Sequence, residues 1–269
     1  MDFLHRSAAR SKLASWIALK LRNQCSAVLK YRLGGVHHAD PNGEDLLLKT
    51  YASHISTFVD VGANVGDWTA EVLASTAGRP VNGILFEPGL SAYLALTKRF
   101  SGATNLDLVN KAISDQVGEV VFYDEDGAGE TSSMAAKANL RPSIARRVEC
   151  STLSAELSQR DVQRIDLLKV DVEGFDLHVL RGAGAMLNPE TISLIQFEYN
   201  SSWIFASSTL YSAIELLRSR GFNVFRLDGD GLHEPEYDRY GEYFSYANYV
   251  AVAPAVLGYL QTLRRGTIV

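Results

Sequence analysis

The stretch FVDVGANVGDW, residues Phe58–Trp68, indicates how this chain folds. It begins with a short run of apolar and β-branched residues, which is typical of a buried strand. Two glycines, Gly62 and Gly66, follow four positions apart and precede a stretch with helical periodicity. A strand, a glycine-containing turn and a helix in this order predict a βαβ unit with a ligand at the turn.

Apolar runs and helical patterns alternate along most of the chain. Runs of strand length lie at Thr57–Val61, Gly83–Phe86, Leu106–Val109, Ile165–Val170 and Ile192–Phe197. Helical periodicity predicts helices from Glu44 to about Ser53 and at Asp67–Ser75, Gly89–Phe100, Phe175–Leu187 and Thr209–Arg220. Apolar strands separated by helices predict a doubly wound, mostly parallel α/β sheet that is covered on both faces.

Two segments interrupt this alternation. GEVVFYDEDG, residues 118–127, alternates like an added hairpin strand. FNVFRLDG (222–229) and YANYVAVAP (246–254) have the pattern of two strands with no helix between them. They predict an antiparallel edge at the C-terminal end of the sheet.

The N-terminal part of the chain differs from the rest in charge. Residues 1–35 contain seven basic residues and one acidic residue, about +6 in total, which leaves about −11 for the remainder of a chain with net charge −5. SKLASWIALKLRNQCSAVLKY, residues 11–31, predicts a basic amphipathic helix that either packs on the main domain or docks on a membrane surface. We therefore divide the chain into a helical extension with its loop, 1–43, and a main domain, 44–269.

Composition excludes several classes of protein. An acidic body does not suit a general nucleic-acid binder, which needs a surface that neutralises phosphates. Two cysteines, Cys25 and Cys150, cannot build a disulfide framework or a four-cysteine zinc site. The apolar part of the N-terminal segment is too short for a signal peptide or a membrane span. A cytoplasmic protein, with peripheral membrane attachment as an option, fits these features.

Two carboxylates predict which cofactor the turn holds. The loop reads D-x-G-x-x-x-G from Asp60 and lacks the third glycine of the dinucleotide fingerprint. A carboxylate beside the loop repels a pyrophosphate and favours an ammonium group. Glu87 ends the next strand, 25 residues after Gly62, where an acid can bind both hydroxyls of a ribose. S-adenosylmethionine matches this pair of acids, whereas NAD matches poorly.

The same residues resemble a known family, the FkbM-type S-adenosylmethionine-dependent methyltransferases. The resemblance covers roughly residues 44–253 and rests on FVDVGANVGDWT, FEP, NKAISDQVGEVVFY, TSSM, IDLLKVDVEGFDLHVLRGA and IQFEYN. It implies a Rossmann-like class I methyltransferase fold and, since characterised members are mainly O-methyltransferases, a saccharide or natural-product hydroxyl as acceptor. One departure is TLS at residues 152–154, where members often read TLD.

The resemblance also implies the residues that bind the cofactor. These are Asp60, Gly62, Ala63, Asn64 and Gly66 at the methionine end, Glu87 and Pro88 at the ribose, Asn110, Lys111 and Ala112 near the adenine, and Asp171 at the methyl-transfer site. For Trp68 the sequence favours a packed residue at the start of the next helix.

Proton removal from an alcohol calls for a base or a metal. Asp171 is our first candidate for the general base, with Glu173 and Glu198 as rivals, because all three follow the fourth and fifth strands. Asp176 is expected to be an N-terminal helix acid. Asp171, Glu198 and Asn200 also offer oxygen ligands for Mg²⁺, but we favour a site without metal.

Other segments are candidates for acceptor contacts. Thr131, Ser132 and Ser133 lie in a long polar loop with the character of a lid, and Trp203 and Phe205 follow Glu198. YDRYGEYFSYANY, residues 237–249, contains five tyrosines that suit either sugar stacking or an ordinary hairpin. The histidines His37, His38 and His178 are not expected to be catalytic.

The leading hypothesis is therefore an O-methyltransferase that acts on a saccharide or a glycosylated natural product. One alternative is O-methylation of a polyketide or lipid-linked acceptor, which the basic helix would suit. The other is a cofactor-binding module without catalysis. The sequence leaves the oligomeric state open.

Overall fold

The structure is a computed structural model that describes residues 9–33, 42–125, 134 and 143–265. The chain forms two compact units, Met1–Asp40 and Pro41–Val269. Each unit is considered by itself below.

The first unit contains one long helix, α1 (Lys12–Arg32), which confirms the helix predicted for residues 11–31. Leu13, Ile17, Leu21 and Val28 recur at helical spacing and share one face. All four are exposed, Val28 to 67%. No acidic residue occurs between Lys12 and Arg32. The helix therefore presents apolar and cationic groups together to solvent.

The second unit contains the remaining elements. Its helices are α2 (Glu44–Tyr51), α3 (Asp67–Ser75), α4 (Leu90–Arg99), α5 (Leu153–Gln159), α6 (Asp176–Gly182), α7 (Leu210–Ser219) and α8 (Tyr237–Tyr240). Its strands are β1 (Thr57–Val61), β2 (Asn82–Phe86), β3 (Leu106–Val109), β4 (Ala112–Ser114), β5 (Gly118–Glu125), β6 (Ser143–Thr152), β7 (Leu167–Val170), β8 (Leu194–Tyr199), β9 (Asn223–Asp228), β10 (Gly231–His233) and β11 (Ala247–Val252).

The main sheet has eight strands in the order β10-β9-β11-β8-β7-β1-β2-β3. Strands β3, β2, β1, β7 and β8 are mutually parallel, which confirms the doubly wound arrangement. Strand β11 is antiparallel to both β8 and β9, so the C-terminal strands are antiparallel as predicted. Because β11 is inserted between β8 and β9, the edge of the sheet is the β9–β10 hairpin. The expectation of no helix between the last two predicted strands is wrong, since α8 lies between them.

A second, three-stranded sheet corrects the prediction for residues 118–127. Strand β5 does pair in an antiparallel hairpin, but its partner is β6, and β4 completes the sheet in the order β4-β6-β5. The sequence did not reveal β6, because its polar residues have no strand period and resemble a surface loop. This sheet lies outside the main sheet rather than extending it.

The two faces of the main sheet are buried, whereas the carboxyl ends of its parallel strands carry loops. Phe58, Leu85, Leu168 and Phe197 are fully buried between the helical layers. Parallel strands place their carboxyl ends at one edge, so the loops after β1, β2, β7 and β8 meet there. None of the helices in the described part of the chain has the length and apolarity that crossing a membrane requires.

Candidate active site

The loop after β1 owes its shape to two glycines in left-handed conformations. Gly62 has φ +88°, and a Cβ there would lie 1.9 Å from the carbonyl oxygen of Asp171. The amides of Gly62 and Ala63 both donate to the carbonyl of Phe86, at 2.9 and 3.0 Å. The loop is therefore clamped between the ends of β2 and β7, and a side chain at position 62 would push them apart.

Gly66 is needed for a different reason from the one the sequence indicated. It has φ +86°, and a Cβ would meet the ring of Phe100 at 2.5 Å and Leu96 at 2.7 Å. The crowding comes from α4 rather than from a ligand. Gly66 thus allows the start of α3 to pack closely against α4.

Asp60 is the most buried of the predicted site residues, with 1% of its surface exposed. Its Oδ2 accepts a hydrogen bond from Thr69 Oγ1 at 2.7 Å, whereas Oδ1 has no partner in the described structure. Burial raises the pKa of Asp60 to about 6. A buried acceptor without a partner is the atom to which an ammonium group from a ligand would bind.

Glu87 links the loops that follow β1 and β2. Its side chain is buried, Oε2 accepts the amide of Asn64 at 2.8 Å, and Oε1 accepts the amide of Gly89 at 2.7 Å. Asn64 has φ +48°, and its side-chain Oδ1 is buried with no partner among the described residues. A buried carboxylate at the end of the second strand is the type of group that can bind ribose hydroxyls.

The predicted adenine residues occupy distinct positions after β3. Asn110 donates to the carbonyls of Glu87 and Pro88 at 2.8 and 3.2 Å, so it braces the loop beside the predicted ribose site. Lys111 forms ion pairs of 2.7 and 3.2 Å with Glu149 and Glu156 of the second sheet and α5. Ala112 begins β4 and is buried. The side chain of Lys111 is therefore engaged in ion pairs with the second sheet and α5.

Asp171 follows β7 and is held by a lysine that the sequence analysis missed. Lys169 Nζ lies 3.1 Å from Asp171 Oδ2, and its side chain is 12% exposed against 27% for Asp171. The same ammonium lies 3.9 Å from Glu44 Oε1 at the start of α2. A lysine inside an otherwise apolar strand was the signal for this ion pair, because a buried charge requires partners.

The two rival carboxylates lie in different surroundings. Glu198 is partly buried, and burial, followed by the charges of Asp171, Glu173 and Asp176, raises its pKa well above the usual value. Its Oε1 accepts a hydrogen bond from Asn200 Nδ2. Glu173 has a left-handed backbone, φ +53°, and its Oε2 accepts from Ser202 Oγ at 3.4 Å.

Asp176 begins α6 as predicted and is fully buried. Its Oδ2 accepts the amide of Gly174 at 3.2 Å. Burial raises its pKa well above the usual value, with Asp171 as the next cause.

A small hydrogen-bonded group joins residues from both ends of the second unit, and the sequence analysis missed most of them. Asn42 Nδ2 donates to Glu44 Oε2 at 2.7 Å and to Tyr246 Oη at 3.2 Å, and Asn248 Nδ2 also donates to Tyr246 Oη at 3.2 Å. Burial raises the pKa of Tyr246 to about 12, with Glu198 as the next cause. Of the five predicted tyrosines, Tyr246 is thus the one that lies near Glu198 and Glu44.

Two aromatic candidates for the acceptor wall differ in exposure. Trp203 is fully buried, and its Nε1 donates to the carbonyl of Glu198 at 2.9 Å, so its side chain packs in the core. Phe205 is 48% exposed and remains a candidate. Tyr249 is also fully buried.

The polar loop candidates Thr131, Ser132 and Ser133 lie outside the described residues, as do His37 and His38. His178 contacts Asp115 Oδ2 through Nδ1 at 3.0 Å and the carbonyl of Ala206 through Nε2 at 3.1 Å. Both ring nitrogens are therefore engaged in structural contacts.

Thr152, in the TLS segment, caps α5 by accepting the amide of Ala155 at 3.2 Å. Ser154 Oγ lies 3.2 Å from Thr152 Oγ1. The segment therefore serves to start a helix.

Metal-ligand geometry does not coincide with the predicted site. Among the described residues, the one group of three or more acidic, histidine or cysteine ligand atoms close enough to share an ion is Asp228, Asp230 and His233 at the β9–β10 hairpin. The Oδ1 of Asn200, which the sequence offered as an oxygen ligand, accepts the amide of Ser202 at 2.7 Å.

The strand order, with β11 reversed between β8 and β9, and the glycine loop after β1 define a Rossmann-like class I methyltransferase fold. Residues 60–224 match the Methyltransferase FkbM domain. The chain therefore belongs to the FkbM family of S-adenosylmethionine-dependent methyltransferases. No curated protein matches its sequence.

Several solved structures are similar to this chain at low sequence identity. Methyltransferase FkbM from Methylobacillus flagellatus KT is 12% identical with a TM-score of 0.47, and the match covers 73% of this chain but 43% of that chain. Precorrin-6y C5,15-methyltransferase from Geobacter metallireducens GS-15 is 12% identical, with a TM-score of 0.41 and coverage of 76% and 85%. Fibrillarin from Aeropyrum pernix, solved with natively bound S-adenosyl-L-methionine, is 13% identical, with a TM-score of 0.40 and coverage of 78% and 76%.

Proposed function

We propose that this protein transfers a methyl group from S-adenosylmethionine to a hydroxyl of a saccharide or a glycosylated natural product. The observation that carries the proposal is the Asp171 carboxylate, which follows β7, is 27% exposed and is held 3.1 Å from the ammonium of Lys169. An aliphatic alcohol is a poor nucleophile at neutral pH, so a positioned carboxylate that takes its proton assists the transfer. The O-methyltransferases known in the family support the same acceptor class.

The residues around the β1 exit loop fit S-adenosylmethionine. Unpartnered acceptors at Asp60 and Asn64 suit its ammonium group, and Glu87 suits its ribose. The cofactor supplies a methyl group that is already activated by the sulfonium. The protein therefore has to bind and orient the cofactor and the acceptor, and to accept a proton. The proposed binding residues are Asp60, Gly62, Ala63, Asn64, Gly66, Glu87, Pro88, Asn110, Ala112, Asp171 and the backbone of Lys111.

Burial and pairing favour Asp171 over its rivals as the general base. The raised pKa of Glu198 leaves it protonated over a wider pH range, in which it donates a hydrogen bond rather than accepts a proton. Glu173 has a left-handed backbone conformation at the DVEG turn, and its side chain contacts Ser202. Asp171 has 27% of its side chain exposed and lies 3.1 Å from Lys169 Nζ, so it is both accessible and fixed in position. We assign proton removal to Asp171 without a metal ion.

An assay with labelled S-adenosylmethionine tests the acceptor class. Purified protein is incubated with a panel of sugar nucleotides and glycosylated extracts, and the methylated product is located by mass spectrometry. We expect label on a sugar oxygen, and a loss of about 10²-fold or more in turnover for Asp171→Asn, as for removal of a general base. Label on nitrogen or carbon, or full turnover by Asp171→Asn, would contradict the assignment.

The exposed helix α1 supports a more specific acceptor, one that is linked to a lipid at a membrane. Its apolar face includes Leu13, Ile17 and Leu21, and Lys12 and Lys20 lie among its cationic groups, without an acidic residue in the helix. Such a helix inserts its apolar face among lipid headgroups while its lysines attract anionic lipids. We propose peripheral attachment to a membrane from the cytoplasm.

Vesicle sedimentation tests this attachment. Full-length protein and a variant without residues 1–35 are mixed with vesicles of neutral lipid or of neutral lipid with phosphatidylserine. We expect the full-length protein alone to sediment, with more on anionic vesicles and less as salt rises. Equal and negligible sedimentation of both proteins would exclude the proposal.

A further inference from the structure

One buried polar group at the start of α3 has no role in the function proposed above. Trp68 lies in the first turn of α3 and is 7% exposed, and its Nε1 has no hydrogen-bond partner in the described ranges. Asp60 Oδ1, on the same side of the sheet, has none either. Buried donors and acceptors are rarely left unpaired in native proteins, so this pair indicates a ligand or ordered water between them.

Lys169 connects these two groups. The register of β1 and β7 places it opposite Asp60, and its ammonium lies 5.5 Å from the centre of the Trp68 ring. It bonds Asp171 at 3.1 Å, but its 3.9 Å separation from Glu44 is too long for a hydrogen bond. Since an ammonium has three N–H donors, Lys169 retains capacity for another acceptor.

The charge balance of this region is incomplete. Burial lowers the pKa of Lys169, but the carboxylates of Asp171, Glu44 and Asp60 raise it by more, so the lysine stays charged. Three carboxylates therefore surround one cation. A group that carries both an ammonium and a carboxylate would pair with the acids and with Lys169 at once, which water cannot do.

We propose that Lys169 and Trp68 bind the α-carboxylate of the cofactor's methionine end, while Asp60 Oδ1 accepts a hydrogen bond from its α-ammonium. This inference rests on the proposed function, because it adds binding residues to the same cofactor site. Asp171, the hydrogen-bond partner of Lys169, has 27% of its side chain exposed. Trp68 is then both a packed helix residue and a cofactor ligand.

Isothermal titration calorimetry with two adenosine thioethers tests the proposal. S-adenosylhomocysteine carries the amino-acid end, whereas 5′-methylthioadenosine lacks it and retains the rest of the contacts. Both are titrated into wild-type protein and into two variants: Trp68→Phe, which removes the indole N–H but is smaller, and Lys169→Met, which removes the ammonium at nearly constant size. Lys98→Met, an exposed lysine on α4, is the matched control, and circular dichroism verifies folding of each variant.

We expect wild type to bind S-adenosylhomocysteine at least about 30-fold more tightly than 5′-methylthioadenosine. Only S-adenosylhomocysteine has the ammonium and carboxylate that form charged hydrogen bonds. Trp68→Phe and Lys169→Met should each lower the affinity for S-adenosylhomocysteine by about 10-fold and change the affinity for 5′-methylthioadenosine by less than about 2-fold. Lys98→Met should change neither.

The outcomes separate this inference from the proposed function. If folded wild-type protein binds neither compound, the cofactor function itself is overturned. If it binds both within about 3-fold, or if the variants weaken both equally, the amino-acid end is not held by these residues and only the inference fails. The unpaired atoms would then be explained by water.

Discussion

The buried carboxylate of Asp60 destabilises the protein when no ligand is bound, and we predict that Asp60→Asn raises the free energy of unfolding. Burial raises the pKa of Asp60 from 3.8 to about 6. At about 1.4 kcal/mol per pH unit, the ionised side chain costs about 3 kcal/mol at neutral pH. Asparagine has the same shape and still accepts the hydrogen bond from Thr69, whose Oγ1 lies 2.7 Å from Oδ2.

The gain should depend on pH in one direction. Because the folded protein holds the Asp60 proton more tightly than the unfolded chain, ionisation destabilises the fold as pH rises. The difference between variant and wild type is therefore absent below about pH 4 and complete above about pH 6. Urea unfolding at several pH values, followed by circular dichroism, measures it.

A matched variant controls for the loss of a surface charge. Asp45 is 73% exposed, so Asp45→Asn should change the unfolding free energy by less than about 0.5 kcal/mol. A difference for Asp60→Asn that is independent of pH, or a variant that is less stable than wild type at neutral pH, would refute the reasoning. If Asp60→Asn is more stable and also binds S-adenosylhomocysteine about 10-fold more weakly, the carboxylate serves the ligand at the expense of stability.

Three further predictions follow from the geometry of the site. Glu87→Gln should weaken S-adenosylmethionine by about 10- to 100-fold in calorimetry, because ribose hydroxyls lose a charged acceptor, and unchanged affinity would contradict this role. Gly66→Ala should lower the free energy of unfolding by at least about 2 kcal/mol more than Gly78→Ala, since both have positive φ but a Cβ at 66 meets Phe100 at 2.5 Å while one at 78 meets nothing within 4 Å. Glu198→Gln should leave the free energy of unfolding equal or higher at neutral pH. It removes a carboxyl group whose ionised form is disfavoured by burial and by neighbouring carboxylates. A loss above about 2 kcal/mol would show that Glu198 is a stabilising partner instead.

Local patterns were sufficient for the elements of the main sheet. Thr57–Val61 and Leu106–Val109 have the predicted bounds, because a continuous apolar run between breaks leaves few other assignments. The second sheet could not be predicted in the same way. Strand β6 pairs Cys150 with Ala112 and with Gly118, and its exposed polar residues carry no periodic signal for such distant partners.

The candidate site likewise contains residues that the sequence predicted and residues that it missed. Asp60, Glu87 and Asp171 stand at strand ends, and their position follows from the order of strands. Lys169 and Glu44 were missed because one lies inside an apolar strand and the other starts a helix before the family motif. Their meeting at 3.9 Å depends on how α2 packs over the sheet.

The sequence by itself determined the parallel sheet, the glycine turn and the acids around the cofactor loop, because these depend on the spacing of neighbouring residues. Only the tertiary structure decided that Asp171 has an ammonium partner while Glu198 is partly buried among other acids. The protonation of a carboxyl group depends on its burial and on charges from distant segments. Segments that are far apart in sequence therefore decide which of several similar acids can accept a proton.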